Sequence, residues 1–382
     1  MATKRTILIL FLLAVWITSI YSQTTPVLEM PVEFKNSRLS ALGGYHAALT
    51  DDVTTILNNP AGFSAVKPEL LISELTLGLA GPIFDITGVL IEGNFDINDP
   101  IFLAKLAPIL KQTAGMELVG PVAFAYTGNG IAFGLFNWAD LSYGYKGGVN
   151  LETIMTDNLL LTGGYSFRIP IAATNLDIGL QLKALLRGIA DSRIDASDII
   201  NTILSLDRAL TISIGGGVDL GILYSIEDIF SAGIVARNLY TPTIRNNYVS
   251  INEFLAGAAA VQEQGIVPLD LSGGIKFAPP LGFLDWIISD FKILLDYGDI
   301  LDFILHPATA KQWFLHLGLG IEFKMLEKLS LRGGFNQGLF SAGIGLDLTI
   351  FSISASMFGS EGSLFTGLQP IYNMVIGLEF KI

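Results

Sequence analysis

The chain has 382 residues, of which 51% are hydrophobic and 15% charged, and it contains 41 glycines and no cysteine. This length suits one large domain or two ordinary ones. The lack of cysteine excludes disulfides, thiolate chemistry and a lipid-modified cysteine anchor, and the formal net charge of −13 disfavours nucleic-acid partners, because phosphate binding needs clustered positive charge.

The first 22 residues have the pattern of a secretory signal peptide. Lys4 and Arg5 precede an apolar run over residues 6–20 that is too short to span a bilayer, and Ser22 is a small residue suited to cleavage. We expect the mature chain to begin near Gln23. No later stretch approaches the roughly 18 uninterrupted apolar residues of a membrane helix, so the protein should leave the inner membrane.

A polar stretch, DDVTTILNNPAG, follows early in the mature chain. Val53, Ile56 and Leu57 are spaced to form the apolar face of a short helix. Thr50 or Asp51 would cap this helix, and the Asn-Asn-Pro run would end it. We therefore expect a compact helical segment here.

Further along the chain, apolar residues alternate with small or polar ones, as they do throughout WFLHLGLGIEFK (313–324). A period of two is typical of a strand with two unlike faces. We predict about fourteen strands, with ends uncertain by about 2–4 residues. They are 71–80, 118–127, 130–138, 158–169, 174–188, 208–224, 228–239, 268–278, 289–297, 313–324, 328–336, 341–349, 351–358 and 371–382.

These strands favour an all-β transmembrane barrel over a soluble β-sandwich. The apolar faces carry almost no charge, and aromatic residues such as Trp313, Phe323, Tyr372 and Phe380 lie near strand ends, as in the aromatic girdles of outer-membrane barrels. Short links alternate with long segments at 81–117, 139–157, 189–207, 240–267 and 298–312, which matches short periplasmic turns and long extracellular loops. Sixteen strands remain an alternative if 82–91 and 140–147 are also strands.

Two of the long loops contain helix signals. Asp99 and Pro100 can start one helix, and Ser250 and Glu253 have the spacing of a capping box for another. Their apolar side chains either pack on the barrel rim or form a capture site for an apolar ligand. The candidate capture residues are Phe102, Leu103, Leu106, Leu110, Phe254 and Leu255.

Four cations fall on predicted lumen faces, namely Lys183, Arg187, Lys276 and Arg332. They either steer a carboxylate head group or pair with acids such as Asp177, Asp219 or Asp270, and pairing is the more common arrangement for buried charges. The histidines lack the spacing of a metal site. We expect no metal, no cofactor and no enzymatic activity.

The run Leu42-Gly43-Gly44 followed by AALTDDVTTILNNPAG resembles the N-terminal hatch of the FadL/TodX-type outer-membrane transporters of hydrophobic compounds. The resemblance implies a hatch, or plug, over residues 23–68 inside a fourteen-stranded barrel over residues 69–382. The hatch residues would be Asp51, Asp52, Asn58, Asn59, Pro60, Ala61 and Gly62.

The expected function is a bacterial outer-membrane channel for passive uptake of long-chain fatty acids or other hydrophobic compounds, gated by the hatch. Its partners would be the hydrophobic ligand, outer-membrane lipid and the barrel-assembly machinery. Two alternatives stay open. A general porin would have an open lumen without a plug, and a structural or adhesin barrel would act through its extracellular loops.

Overall fold

The structure, a computed structural model, describes residues 26–82, 113–146, 150–195, 208–284, 286–305 and 307–382. The predicted signal peptide and the predicted helix that begins at Asp99 lie outside these residues. Within the described ranges, no helix is long and apolar enough to cross a membrane.

Fourteen antiparallel strands form a closed barrel, which confirms the predicted fold. Three further short strands, β1, β9 and β10, are described below, and all strands are numbered in chain order. The barrel strands are β2 (Glu69–Ala80), β3 (Ala114–Gly128), β4 (Ile131–Lys146), β5 (Asn150–Ile171), β6 (Thr174–Asp195), β7 (Ala209–Ile226), β8 (Phe230–Tyr240), β11 (Asp270–Phe277), β12 (Ile288–Tyr297), β13 (Leu317–Met325), β14 (Leu329–Asn336), β15 (Leu339–Asp347), β16 (Phe351–Glu361) and β17 (Pro370–Lys381). The barrel closes where β17 pairs with β2. Each of the fourteen predicted strands overlaps one of these.

The two ends of the barrel differ. One end, called the short-turn end below, carries the tight connections at 129–130, 172–173, 227–229, 326–328 and 348–350. The last of these contains no glycine; Thr349 adopts a φ of 76°, and its amide donates to Asp347 Oδ1 at 3.2 Å. The opposite end, called the loop end, carries most of the longer connections.

Three short strands at the loop end were not predicted. They are β1 (Val27–Leu28), β9 (Pro242–Tyr248) and β10 (Val261–Ile266). β9 pairs with the part of β7 that β8 does not reach, β10 pairs with β9, and β1 adds to β10 in parallel. The helix α3 (Ile251–Leu255) connects β9 to β10, and its N-cap Ser250 accepts from the amide of Glu253 at 3.2 Å, as the capping-box spacing predicts.

Several predicted strand ends are wrong. The predicted long loops at 139–157 and 189–207 are partly strand, since β4 runs to Lys146, β5 begins at Asn150 and β6 runs to Asp195. Residues 140–146 therefore extend β4 and are not a further strand, and most of the other alternative strand, 82–91, lies outside the described residues. Leu141, Tyr143 and Tyr145 continue the alternation of β4, whereas residues 150–157 lack a clear period of two. Residues Trp313–His316 form a 3₁₀ helix, and β13 starts only at Leu317.

The barrel wall has an apolar outer face and a polar inner face. On β5, the outward side chains of Leu161, Tyr165 and Phe167 are 57%, 59% and 45% exposed, whereas Thr162 and Ser166 between them are buried. The other long strands repeat this alternation. The outer surface is therefore suited to contact with lipid chains.

The segment before β2, residues 34–66, packs against the inner face of the barrel and is called the N-terminal segment below. It contains α1 (Ser37–Ala41), α2 (Thr55–Asn58) and a 3₁₀ helix (Pro60–Ser64). α1 contacts β14 to β17, and the 3₁₀ helix contacts β3 to β7 on the other side. The predicted cap at Thr50 or Asp51 is wrong, because α2 starts only at Thr55 and the Asp52 carboxylate accepts from the Thr54 amide at 2.8 Å.

Glycines on the inner wall make room for this segment. Gly179 of β6 and Gly221 of β7 face each other in the sheet. A Cβ atom on Gly179 would lie 2.3 Å from the Pro60 carbonyl carbon, and one on Gly221 would lie 1.9 Å from Asn59 Oδ1. Both distances are far inside van der Waals contact, so the Asn-Pro turn fits only against a wall that lacks side chains at these positions.

We predict that Gly179→Ala destabilises the packing of the N-terminal segment by about 1–3 kcal/mol, because the added methyl group meets backbone atoms that cannot move freely. Limited proteolysis of the purified protein should then cleave within residues 34–66, while the barrel strands stay resistant. Gly188→Ala on the same strand is the matched control, since its Cβ would have no neighbour within 4 Å. Equal proteolysis of both variants would contradict the prediction.

Candidate functional site

Six charged side chains join the N-terminal segment to the barrel wall, and we call them the charge cluster. Its members are Arg38, Asp51 and Asp52 from the segment and Lys292, Glu322 and Arg332 from the wall. Arg38 lies at the centre. Its guanidinium donates to both Asp51 oxygens at 2.9 Å, to Asp52 at 2.6 Å and to Glu322 at 2.5 and 3.0 Å.

The wall half of the charge cluster is built by strand register. Lys292 on β12 faces Glu322 on β13, and Glu322 faces Arg332 on β14. The Glu322 side chain is 0% exposed and accepts from Arg332 Nε at 2.7 Å, while Lys292 Nζ lies 3.3 Å from it. Lys292 also pairs directly with Asp51.

The charge cluster is electrically balanced, with three cations and three carboxylates. Burial alone would raise the pKa of Asp51, but the positive charges of Arg38 and Lys292 outweigh it and hold this pKa well below its usual range. Burial would likewise lower the pKa of Arg38, and the neighbouring carboxylates raise it instead. Removing one member would leave a buried charge without its partner, which is far more costly than losing an exposed ion pair.

The Asn-Asn-Pro turn is held by its own amide side chains. Asn59 caps the 3₁₀ helix by accepting from the Ala61 amide at 3.0 Å, and its NH₂ group donates to Ala47 O at 2.7 Å. Asn58 donates to Leu49 O at 3.2 Å. A Cβ atom on Gly62 would lie 2.3 Å from the Thr50 side chain, so this position requires glycine. The motif residues thus fix the shape of the segment.

A second polar anchor ties the segment to β12. His46 is fully buried, and its Nδ1 lies 2.5 Å from Asp296 Oδ2. The other Asp296 oxygen accepts from the Ala47 amide at 2.7 Å. This histidine therefore has a structural partner on the wall.

Aromatic packing holds the opposite side of the segment. The ring centroid of Phe34 lies 5.2 Å from those of Phe136 and Trp138 on β4. Val53 and Ile56 belong to the same buried cluster. The N-terminal segment is consequently fixed to the wall by ion pairs on one side and by apolar contacts on the other.

Three of the four predicted lumen cations have partners. Lys183 lies 2.8 Å from Asp219, Arg332 pairs with Glu322, and Arg187 donates to the carbonyls of Met30 and Pro31 at 2.8 and 3.0 Å. Among the described residues, Lys276 has no ion pair within 4 Å, and it lines a cavity at the short-turn end. For at least Lys183 and Arg332, these contacts favour ion pairing within the protein over steering of a ligand carboxylate.

The predicted capture residues are not brought together within the described part of the chain. Phe102, Leu103, Leu106 and Leu110 lie outside the described residues. Phe254 and Leu255 lie on α3 and are 38% and 68% exposed, and the Phe254 ring packs edge-on against Tyr248 at 5.1 Å. Their role in ligand capture stays a prediction.

A cavity of about 940 Å³ lies on the short-turn side of the N-terminal segment. Its lining is highly charged and includes Asp51, Lys276, Lys292, Glu322 and Arg332. The charge cluster therefore forms part of the floor between this cavity and the interior occupied by the segment.

Sequence reasoning found Asp51, Asp52 and Arg332 but missed Arg38, Lys292 and Glu322. Glu322 and Lys292 do fall on the polar phase of the alternation of their strands, which marks them as inward-facing. Their convergence depends on the register of three strands and on the path of the segment, and neither can be read from residue spacing.

Comparison with known proteins gives one family match. Residues 149–347 match the family described as F plasmid transfer operon, TraF, protein. No curated protein sequence gives a significant match.

Solved structures share the fold. The Ralstonia pickettii toluene transporter TbuX is 12% identical, the alignment covers 91% of this chain and 97% of that chain, and the TM-score is 0.50. The Pseudomonas putida toluene transporter TodX is 11% identical over 94% of this chain and 99% of that chain, with a TM-score of 0.48. A Pseudomonas aeruginosa FadL homologue is 10% identical over 91% and 98%, with a TM-score of 0.44.

Structural similarity at such low sequence identity shows a shared fold and nothing further. The shared fold is inferred here from the comparison with TbuX. The predicted FadL/TodX-type barrel is thereby confirmed as a fold. The family match spans more than half of the 382 residues. The chain therefore belongs to the family described as F plasmid transfer operon, TraF, protein.

Proposed function

We propose that the chain is a bacterial outer-membrane channel for passive uptake of a hydrophobic compound, and that the N-terminal segment is its gate. The observation that carries the proposal is the segment itself, held inside an apolar-faced barrel by the charge cluster. A solute that crosses the barrel would have to pass where the segment lies, so its release from the wall would control passage.

The outer face of the wall supports the membrane location. Large apolar side chains such as Leu182, Ile214 and Ile234 are each more than half exposed, whereas the charged side chains of Arg187 and Asp219 on the same strands are buried. Exposing such a surface to water would be unfavourable at about 25 cal/mol per Å². A lipid bilayer removes this cost.

A hydrophobic ligand is the solute class that the fold relatives support, since TbuX and TodX are named as toluene transporters. The exposed apolar residues of α3 offer a surface for such a molecule. Burial of its chain would contribute roughly 0.8 kcal/mol per CH₂. A fatty acid and a monoaromatic hydrocarbon are both within this class.

The absence of cysteine allows a direct test of gating by a disulfide. A Cβ atom on Gly377 of β17 would lie 3.6 Å from the Ser37 Cβ in the segment, within the roughly 3.5–4.5 Å range of disulfides. We predict that oxidised Ser37→Cys/Gly377→Cys protein in liposomes takes up labelled toluene and oleate no faster than protein-free liposomes. Reduction with dithiothreitol should restore uptake.

The two single-cysteine variants are the matched controls for this experiment, and oxidation should not change their uptake. Equal uptake by the oxidised and reduced double variant would refute gating by the segment. If reduced protein gives no uptake above protein-free liposomes for either ligand class, the transport proposal itself is wrong.

The charge cluster gives a second prediction. Glu322→Gln leaves Arg38 and Lys292 short of a buried carboxylate, which should cost about 3–5 kcal/mol of segment attachment. We expect ion conductance in planar bilayers to rise well above that of the wild type. Glu327→Gln is the matched control, because Glu327 lines the same cavity at an exposed turn without a contact to the segment. Equal conductance of the two variants would show that the cluster does not hold the gate.

The pH dependence follows from the lowered pKa of Asp51. The pKa of Asp51 in the attached segment lies below the ordinary value of 3.8. Asp51 therefore stabilises the attached segment at any pH above 3.8, and this stabilisation is lost as the pH falls through the lowered pKa. Wild-type conductance should thus stay constant from neutral pH down to about pH 4 and rise only below it. A rise in conductance already at or above about pH 5 would contradict this prediction.

A structural role in plasmid transfer is the second candidate, favoured by the family match over residues 149–347. A barrel with this role would act through its surface and not through transport. Normal transfer efficiency of cells that lack the protein, together with uptake that depends on it, would reject this candidate in favour of the channel.

A further inference from the structure

We infer that the loop between β12 and β13 contains a binding site for a divalent transition-metal ion such as Zn²⁺, formed by Asp299, Asp302 and His316. The site lies at the loop end of the barrel, apart from the charge cluster. Ligand atoms of these three side chains all lie within 4.8 Å of one another. Metal ligation is independent of the proposed transport function.

The buried nitrogen of His316 is the observation that points to an ion. His316 is only 7% exposed, and no group among the described residues is in hydrogen-bond geometry to its Nε2. Nε2 lies 3.2 Å from Asp302 Oδ2. The ring nitrogen and the oxygen are thus neighbours that do not hydrogen-bond, and a buried nitrogen without a partner is costly.

The distance of 3.2 Å between His316 Nε2 and Asp302 Oδ2 suits two ligands of one ion. Bonds of about 2.0–2.2 Å to a shared metal, at angles near those of tetrahedral or octahedral geometry, place two ligand atoms roughly 3 Å apart. The two carboxylates offset the charge of a divalent ion, and a mixed imidazole and carboxylate set suits Zn²⁺ or a neighbouring first-row metal better than Ca²⁺ or Mg²⁺. Water would complete the coordination of the ion.

Surrounding contacts orient the ligands. The His316 ring lies between Tyr297, stacked at 5.5 Å, and Phe303, edge-on at 5.4 Å. Asp302 Oδ2 accepts from the Lys311 amide at 2.8 Å. The Asp299 amide donates to Asp270 at 3.1 Å, and the His316 carbonyl accepts from the Gly298 amide at 2.8 Å. Such secondary contacts are typical of metal ligands.

The site was not predicted because the histidines were compared only with one another. Asp299 and Asp302 are three residues apart, whereas His316 is more distant and belongs to the 3₁₀ helix that precedes β13. Pairing of β12 with β13 brings the two ends of the loop together. A bound ion would therefore tie the two ends of this loop to each other.

Isothermal titration of the purified, chelator-treated protein with ZnCl₂ tests the inference, provided that the affinity tag contains no histidine. We expect one Zn²⁺ ion per chain in the wild type. His316→Gln and Asp302→Asn should each weaken binding by about tenfold or more, since each removes a direct ligand. Asp290→Asn, from the other acidic group near the charge cluster, is the matched control and should bind as the wild type does.

Heat-dependent mobility in detergent gels shows whether each variant forms the barrel. If either His316→Gln or Asp302→Asn does not fold, the Zn²⁺ affinity of the other variant is compared with that of the wild type. Wild-type protein that binds no Zn²⁺ overturns the inference without reference to any variant. Unchanged affinity in folded His316→Gln and Asp302→Asn, or loss of binding in Asp290→Asn, overturns it equally.

Discussion

Buried charge must be balanced, and this constraint determines how the N-terminal segment sits in the barrel. Glu322 is fully buried on β13 beside Lys292 and Arg332 of the neighbouring strands, and these three buried side chains alone carry a surplus of one positive charge. The other wall partner of Lys292, Asp290, is 44% exposed. The segment adds Arg38, Asp51 and Asp52, which restores neutrality. Neither half is satisfied without the other, because an unpaired buried charge costs several kcal/mol.

Shape complementarity works with this charge balance. The inner wall lacks side chains where the Asn-Pro turn approaches, at Gly179 and Gly221, and the carbonyl of Leu42 lies 2.7 Å from the position of a Cβ on Gly320. Aromatic packing around Phe34 completes the attachment. Leu39, Leu42 and Leu49 of the segment also pack against Leu294, which lies on the same strand as Lys292.

The barrel could be predicted from the sequence because lipid contact forces a period of two on each strand. β1, β9 and β10 could not, since β9 (PTIRNNY) and β10 (VQEQGI) are polar and lack that alternation. The Asn-Pro motif distinguished residues 58–62 from the strands that follow. The Arg38–Glu322 pair was not, because its members are 284 positions apart and meet only through strand register.

Under the proposed function, a hydrophobic ligand passes only when the N-terminal segment leaves the wall while the barrel stays intact. Hydrogen exchange of the reconstituted wild-type protein, with and without toluene, measures this directly. We expect the amides of residues 47–62 to exchange faster when toluene is present, while those of β12 to β14 keep their protection. Segment amides that stay as protected as the strands under both conditions would contradict the claim.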